Sequence, residues 1–400
     1  MNTLPAALLV SKANILTING GSSSIKFSIY SNENTLELRL KGKIERIGTA
    51  DCAFVYSPLS GENVTQKLGS KTMETASEFL IDWLGNEVGF DHIQVVGHRI
   101  VHGMLHTHEE VISDELIDEL KRISTYDPDH LPAEIFLIQK IKERQPGLQQ
   151  VACFDTSFHT DLPRVASMFA IPRRFETEGI RRYGFHGLSY SYLLENLTKI
   201  AGSELVNSKL ILAHLGSGCS MAAVKNGKSI DTTMGFTPVG GTMMGTRPGD
   251  LDPGIIDYLL KNNRTNSKEF SDLINHQSGL LGVSETSADM SNLMKIEHSD
   301  YRAAEAIDLF CYQAKKWIGA LTAALGGLDA LVFTGGISEN APVILKRICE
   351  GLGYLGLEIT EQGGGLENML ISTSESRVKV YMIPANEEYM IAKMAGQKLG

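Results

Sequence analysis

Three glycine turns carry the first chemistry legible in this chain: Asn19-Gly-Gly-Ser-Ser-Ser, His214-Leu-Gly-Ser-Gly-Cys-Ser and Thr334-Gly-Gly-Ile-Ser-Glu-Asn. Glycine lets backbone N–H groups approach an oxygen-rich anion because no Cβ intervenes, and the hydroxyls beside it add donors, so the set suits a polyphosphate. Any one such turn is also common in plain hairpins. Neither G-x-x-x-x-G-K-[ST] nor G-x-G-x-x-G occurs, which speaks against a Walker-type NTPase and a dinucleotide-binding domain. Arg99, in Gly97-His-Arg-Ile-Val-His-Gly103, carries a guanidinium fork that can meet two carboxylate oxygens, although an arginine so placed could equally pair with a surface acid. His102, His106 and His108 are spaced closely enough to suggest a metal, but no carboxylate–histidine arrangement is evident near them and metal binding is not expected there. His276 and His298 read as ordinary surface histidines.

The elements that must hold these turns follow from periodicity. Ile15–Ile18 leads into the first turn and Ile25–Tyr30 leads out, with Ile25, Phe27 and Ile29 alternating with more polar residues, the pattern of strand, turn, strand. Leu210–Leu212, the second turn, Met221–Val224, Asn226-Gly227 and Ser229–Asp231 repeat that grammar, which suggests a duplicated domain. The third turn follows the apolar run Ala330–Phe333 and continues as a helix, with Asn340 as the expected cap, Pro342 in the first turn and Gly351 as the stop. Further helices are expected at Ser113–Ile123, at Leu188–Ile200, after Asp252-Pro253, and at Tyr301–Leu325, whose Ile307, Phe310, Cys311, Ala314, Trp317, Ile318 and Leu321 form a core or subunit-interface stripe. Gln362-Gly-Gly-Gly-Leu366 reads as a surface loop.

The 400 residues, 42% of them hydrophobic, are too many for one ordinary core, and about 150 residues per domain gives two. With 37 Lys+Arg against 47 Asp+Glu, a net charge of −10, and no basic block interleaved with aromatics, nucleic acid is not an expected partner. Five scattered cysteines without a C-x-x-C spacing argue against a disulfide framework or a zinc site and suit a reducing cytoplasm. The segment Met1–Ala13 reads as a short extension rather than a signal peptide, and the apolar stretch Leu321–Phe333 is broken by Gly326, Gly327 and Asp329, so no membrane span is expected.

The repeated strand–turn–strand pattern with a late Gly-Gly turn before a helix resembles the superfamily that unites acetate and sugar kinases, heat-shock chaperone ATPases and actin. Over nearly its whole length the chain resembles the acetate kinase family. The likeness is carried, in the family's order, by Asn19-Gly-Gly-Ser-Ser-Ser-Ile-Lys26, Gly97-His-Arg-Ile-Val-His-Gly103, Phe154-Asp-Thr-Ser-Phe-His159, Arg182-Tyr-Gly-Phe-His-Gly187, His214-Leu-Gly-Ser-Gly218, Gly235-Phe-Thr-Pro238, Gly245-Thr-Arg247 with Asp252-Pro253, Phe333-Thr-Gly-Gly-Ile337 with Glu339-Asn340, and Asn386-Glu-Glu388.

The resemblance implies an α/β fold of two duplicated ribonuclease H-like domains with an interdomain cleft, the first formed by residues 1–155 plus 388–400 and the second by 156–387. It implies a reversible, magnesium-dependent transfer of the ATP γ-phosphoryl group to acetate, giving acetyl phosphate and ADP in a direct in-line step. Asp155, His186, Arg247 and His130 map to the chemistry, and Arg99, Val101, Phe185 and Pro238 to the acyl substrate. Lys26, His214, Gly216, Ser217, Gly218, Asp289, Gly335, Gly336, Ile337 and Asn340 map to the nucleotide. Asn19 and Glu387, with Asp155, would organise Mg²⁺ through waters, with Mn²⁺ as a substitute, and the family's homodimer and cytoplasmic setting come with the same likeness. The constellation suits the reaction: a transition state with charge spread over phosphoryl oxygens needs cations and donors, and a carboxylate acceptor with a pKa of about 4 needs no general base.

The chain departs from the family's pattern at Ser217, where asparagine is usual; at Asp129, a charge before His130; at Met104, for a glycine; and at Ser291, where an arginine often follows Asp289. The middle two leave acetate against propionate or another short-chain acid open, and the last leaves ATP against other triphosphates open. A chaperone-like or actin-like nucleotide switch remains the alternative from another class, though a switch needs no carboxylate-binding fork.

Overall fold

The computed structural model describes residues 13–21, 23–33, 35–58, 62–360 and 369–399; the N-terminal extension and the glycine-rich loop at 362–366 lie outside them. Contacts divide the chain into two compact units, Met1–Ser157 with Asn386–Gly400, and Phe158–Ala385.

The first unit is built on a sheet of β1 (Asn14–Gly20), β2 (Ile25–Ser31), β3 (Glu37–Glu45), β4 (Ala53–Pro58), β5 (Val64–Lys67), β6 (Ile93–Ile100), β7 (Glu110–Val111) and β8 (Gln149–Phe154), in the order β5-β4-β3-β2-β1-β6-β8-β7. β1 through β5 form an antiparallel meander, whereas β6 runs parallel to β1 and β8 parallel to β6. Every residue of β1 is buried, as a central strand covered on both faces requires. One face carries α1 (Met73–Trp83), capped by Thr72, and a cluster in which Phe27, Phe54, Tyr56 and Trp83 pack ring against ring. α2 (Asp114–Ile123), capped by Ser113, and α3 (Leu131–Arg144) bury their apolar stripes against Ile100, Ala152 and Phe154. The C-terminal helix, Glu387–Gly396, is capped by Asn386 and seats Ile391 and Ala395 against β6, where Gly97 leaves room for them.

The second unit repeats the core of that plan. β9 (Lys209–Leu215), β10 (Cys219–Lys225) and β11 (Lys228–Thr232) form an antiparallel meander, and β12 (Ala330–Thr334) and β13 (Lys379–Met382) add in parallel, in the order β11-β10-β9-β12-β13. Around this sheet lie α4 (Gly187–Ala201), α5 (Pro253–Lys261), capped by Asp252, α6 (Met290–Ile296), and the long α7 (Tyr301–Leu325), capped by Asp300 and closed by Gly326 in the left-handed region. The stripe on α7 buries Ile307, Phe310, Ala314, Ile318 and Leu321.

One helix start differs from expectation. Gly335 takes φ 90°, and that left-handed turn sends the chain from β12 directly into α8 (Gly336–Asn340). Asn340 therefore ends this short helix, its Nδ2 donating to the Gly336 carbonyl at 2.8 Å, and does not cap the next one. α9 (Pro342–Cys349) begins after Ala341 without a side-chain cap and stops at Glu350, one residue before Gly351. All five cysteines are buried and free. Among the described residues, no helix is long and apolar enough to cross a membrane.

Candidate active site

In the first unit, β1, β6 and β8 run parallel, so their C-terminal ends reach the same sheet edge, the edge at which α/β proteins gather ligands. Asn19 stands near the end of β1, Arg99 near the end of β6 and Asp155 just past β8, while Asn386 caps the C-terminal helix so that Glu387 and Glu388 occupy its first turn. These side chains meet. Arg99 donates from Nε and Nη2 to Asp155 Oδ2, at 3.1 and 2.6 Å, and from Nη1 to Asn19 Oδ1 at 3.1 Å. Asn19 Nδ2 donates to Glu387 Oε2 at 3.0 Å and to Glu388 Oε1 at 3.2 Å. Burial opposes the charge on Arg99, but Asp155 and Glu387 outweigh it and hold the guanidinium firmly protonated. Of its five N–H donors, three face Asp155 and Asn19, which leaves two to receive an oxyanion.

Carboxylate and amide oxygens are hard donors, and Asp155, Glu387 and Glu388 around one guanidinium leave surplus negative charge, so this set fits a magnesium-like cation. Among the described residues no three His, Cys, Asp or Glu side chains come close enough to enclose a metal directly.

His130 precedes α3, and its Nδ1 lies 2.8 Å from Asp127 Oδ1. The buried Asp127, three residues before it, thus brings a charge to this histidine. Val101 is buried just beyond β6, and its N–H is taken by both oxygens of Glu134, at 3.3 and 3.2 Å. Lys26 is the cross-strand partner of Asn19 and is exposed, on the rim of a groove of about 310 Å³ shared with Lys41, Lys43 and Glu388. His106 does meet carboxylates, Glu110 at 2.7 Å and Glu119 at 3.4 Å, correcting the expectation that none lay near; His102 is buried beside Tyr126, and His108 is bonded to Thr107.

In the second unit, β9 and β12 are parallel neighbours, so the second and third glycine turns adjoin: a Cβ on Gly335 would sit 2.6 Å from the Leu215 carbonyl oxygen. Gly216, Ser217 and Gly218 form the turn between β9 and β10. His186, at the start of α4, is held in the left-handed region at φ 59°, a strained conformation of the kind that gathers at functional sites. Its Nδ1 lies 2.8 Å from Ser220 Oγ, which also meets the Tyr190 hydroxyl, and its ring stacks on His214 at 4.3 Å. His214 is fixed in turn by Ser189. With Nδ1 engaged, His186 Nε2 turns toward Gly218, 3.5 Å from where a Cβ would be, and Arg247 Nη2 reaches 3.0 Å from the same point. Arg247 Nη1 donates to the Pro238 carbonyl at 2.6 Å. A guanidinium N–H and an imidazole nitrogen thus converge over a glycine turn, an arrangement that can hold a phosphoryl group.

The remaining second-unit candidates are more dispersed. Phe185 is buried, and its carbonyl faces His159. Asp289 caps α6 through Asn292, and the adjacent Ala288 carbonyl lies against Gly245, whose N–H donates to the Ser217 carbonyl. Gly336 and Ile337 open α8, beside the second turn. Glu134, Asp127, Glu388, Ser220 and Arg182 stand in these networks without a role foreseen from sequence. Arg182 opens the motif Arg182-Tyr-Gly-Phe-His-Gly187, whose sequence pattern already marks it, and it gathers the carbonyls of Thr232, Thr233 and Met234 on the way to Pro238.

A duplicated unit of meander plus parallel strands, with glycine turns at the strand ends and cations above them, defines the actin-like phosphotransferase class. The chain belongs to the acetokinase family, whose model matches residues 14–393. It is 41% identical over 386 residues to an acetate kinase of Rhodopseudomonas palustris, covering 95% of this chain and 96% of that one. It is also 40% identical over 390 residues to an acetate kinase of Thermoanaerobacterium thermosaccharolyticum, covering 95% and 97%. Among solved structures, a propionate kinase from Francisella tularensis aligns with a TM-score of 0.88 at 36% identity, covering 96% of this chain and 99% of that one. The acetate kinase of Porphyromonas gingivalis aligns at 0.85 and 34%, covering 97% and 100%.

Proposed function

We propose that this protein catalyses reversible transfer of the γ-phosphoryl group of ATP to acetate, forming acetyl phosphate and ADP. The observation that carries the reading is the convergence of His186 Nε2 and Arg247 Nη2 over the Gly218 turn, within a chain of this family. In the proposed division of labour, the first unit, Met1–Ser157 with Asn386–Gly400, holds the carboxylate and the cation, and the second, Phe158–Ala385, holds the nucleotide.

Arg99 receives the substrate carboxylate through its two remaining N–H donors, with Val101, Phe185 and Pro238 contributing apolar contact to the acyl group. The ionised carboxylate attacks without a base, so Asp155 acts by fixing Arg99. Arg247 and His186 stabilise the charge that develops on the transferring phosphoryl oxygens; their positions are set in advance by Pro238 and Ser220, so little reorganisation is needed during the reaction. His130, oriented by Asp127, assists at the acyl side. Backbone N–H groups of Gly216, Ser217 and Gly218, with His214, Lys26 and Asn19, contact phosphates, while Gly335, Gly336, Ile337, Asn340 and Asp289 border the nucleoside. Mg²⁺ or Mn²⁺, held largely through waters by Asn19, Asp155 and Glu387, would supply charge neutralisation between the phosphates. The resemblance to the family supports a cytoplasmic homodimer.

Acetate-dependent release of ADP tests the assignment. Arg99→Ala and Arg247→Ala are each expected to lower kcat/KM for acetate by about 10³-fold or more with an unchanged circular dichroism spectrum. Full activity in either variant contradicts it. The propionate kinase among the structural neighbours favours one second reading, a longer acyl substrate. One methylene is worth only about 1–3 kcal/mol in a pocket, and kcat/KM across formate, acetate, propionate and butyrate decides between the two.

A further inference from the structure

β6 pairs with β1 as far as His98 and with β8 as far as Ile100. The next residue, Val101, is buried beyond the last strand partner, and a buried N–H without an acceptor is costly. Glu134, in the first turn of α3, supplies the acceptor with both oxygens. Its side chain is 2% exposed, and its Cγ lies 3.8 Å from where a Cβ on Gly20 would stand. The carboxyl therefore touches the strand end that carries Arg99, and the stem of the side chain lies beside Gly20, next to Asn19.

Charge bears on the form Glu134 takes. Arg99 acts on it from β6, Asp127 from the segment before α3, and Asp155 from the end of β8. Burial first and Asp127 second hold its proton well above the ordinary carboxyl range, against the pull of Arg99 and the Val101 N–H. An ionised Glu134 would place another anion beside the guanidinium proposed to bind substrate.

We propose that Glu134 is a positioning residue for the acyl substrate: its buried carboxyl anchors the Val101 N–H, and with it the strand end bearing Arg99, the guanidinium proposed to receive the substrate carboxylate. This rests on the carboxylate kinase reading. An acceptor is what the role requires, so a glutamine at this position is sufficient and an apolar isostere is not.

The test compares Glu134→Gln and Glu134→Leu with the wild type at pH 7, measuring kcat and the KM for acetate and for ATP. Glu134→Gln is expected to keep all three within about twofold. Glu134→Leu is expected to raise the KM for acetate about tenfold or more while the KM for ATP stays within about twofold and kcat within about threefold. A rise in the KM for acetate of about tenfold in Glu134→Gln, which would mean that the negative charge is needed, overturns the proposal, and this variant decides the matter alone if Glu134→Leu does not fold. A wild-type KM for acetate in Glu134→Leu overturns it too, leaving the kinase reading intact. Wild-type protein that forms no acyl phosphate overturns both.

Discussion

At the residue scale the sharpest constraint falls on Gly218. A methyl group there would stand 3.0 Å from Arg247 Nη2 and 3.5 Å from His186 Nε2, in the space where the two side chains converge. Since its φ is not in the left-handed region, alanine can adopt the backbone without strain, and the harm falls on the site. Gly218→Ala is expected to reduce kcat about 100-fold, the scale of a misplacement of about 1 Å, with thermal stability little changed; steady-state kinetics beside a melting curve checks this, and a near-normal kcat would mean that the two side chains do not act above this turn. The glycines and the arginines were legible from the sequence because their chemistry is written in their types. The partnership of Asp127 with His130 was not, because it depends on how the chain enters α3. Glu134 was hidden for a similar reason, since an acid in the first turn of a helix normally needs no explanation beyond the helix dipole.

At the element scale, the position of Glu387 and Glu388 depends on how closely the C-terminal helix lies on β6. Gly97 makes that approach possible, since a Cβ would come within 2.6 Å of Ile391 Cγ2 and 3.1 Å of the Ile391 carbonyl oxygen. Gly97→Ala is expected to destabilise the protein by about 1–3 kcal/mol, as overpacking does, and to lower activity by shifting the two glutamates from Asn19. Urea denaturation with parallel assays checks both, and unchanged stability would mean that the helix yields without cost. Long amphipathic elements such as α7, with Asp300 before it and Gly326 after it, declared themselves in the sequence through periodicity and caps. The Asn340 cap did not hold, because a glycine able to take φ 90° let the chain enter a helix one turn earlier. Backbone freedom of that kind has no periodic signature.

At the scale of the whole molecule, two buried histidines tie stability to pH. Burial lowers the pKa of His98 to about 4 against the pull of Gln150, and that of His159 to about 4 against the Phe185 carbonyl. The unfolded chain protonates both near the ordinary value of 6.5, so between there and about 4 it binds more protons than the native state, and stability falls as the medium becomes acidic. Roughly 2 kcal/mol per histidine should be lost between pH 7 and pH 5, and His98→Asn should flatten the profile. Equal denaturation midpoints at the two pH values in wild type would contradict this. The duplicated architecture was legible because the hairpin grammar is written twice. What stayed hidden was which distant side chains the parallel strand ends bring together, such as Asn19 with Glu388. The central claim, phosphoryl transfer to a carboxylate, is tested most directly by incubating the protein with acetate, ATP, Mg²⁺ and hydroxylamine and measuring acetohydroxamate. Hydroxamate that accumulates with ADP and requires acetate is the predicted result; ATP turnover without hydroxamate, or no turnover at all, would contradict it.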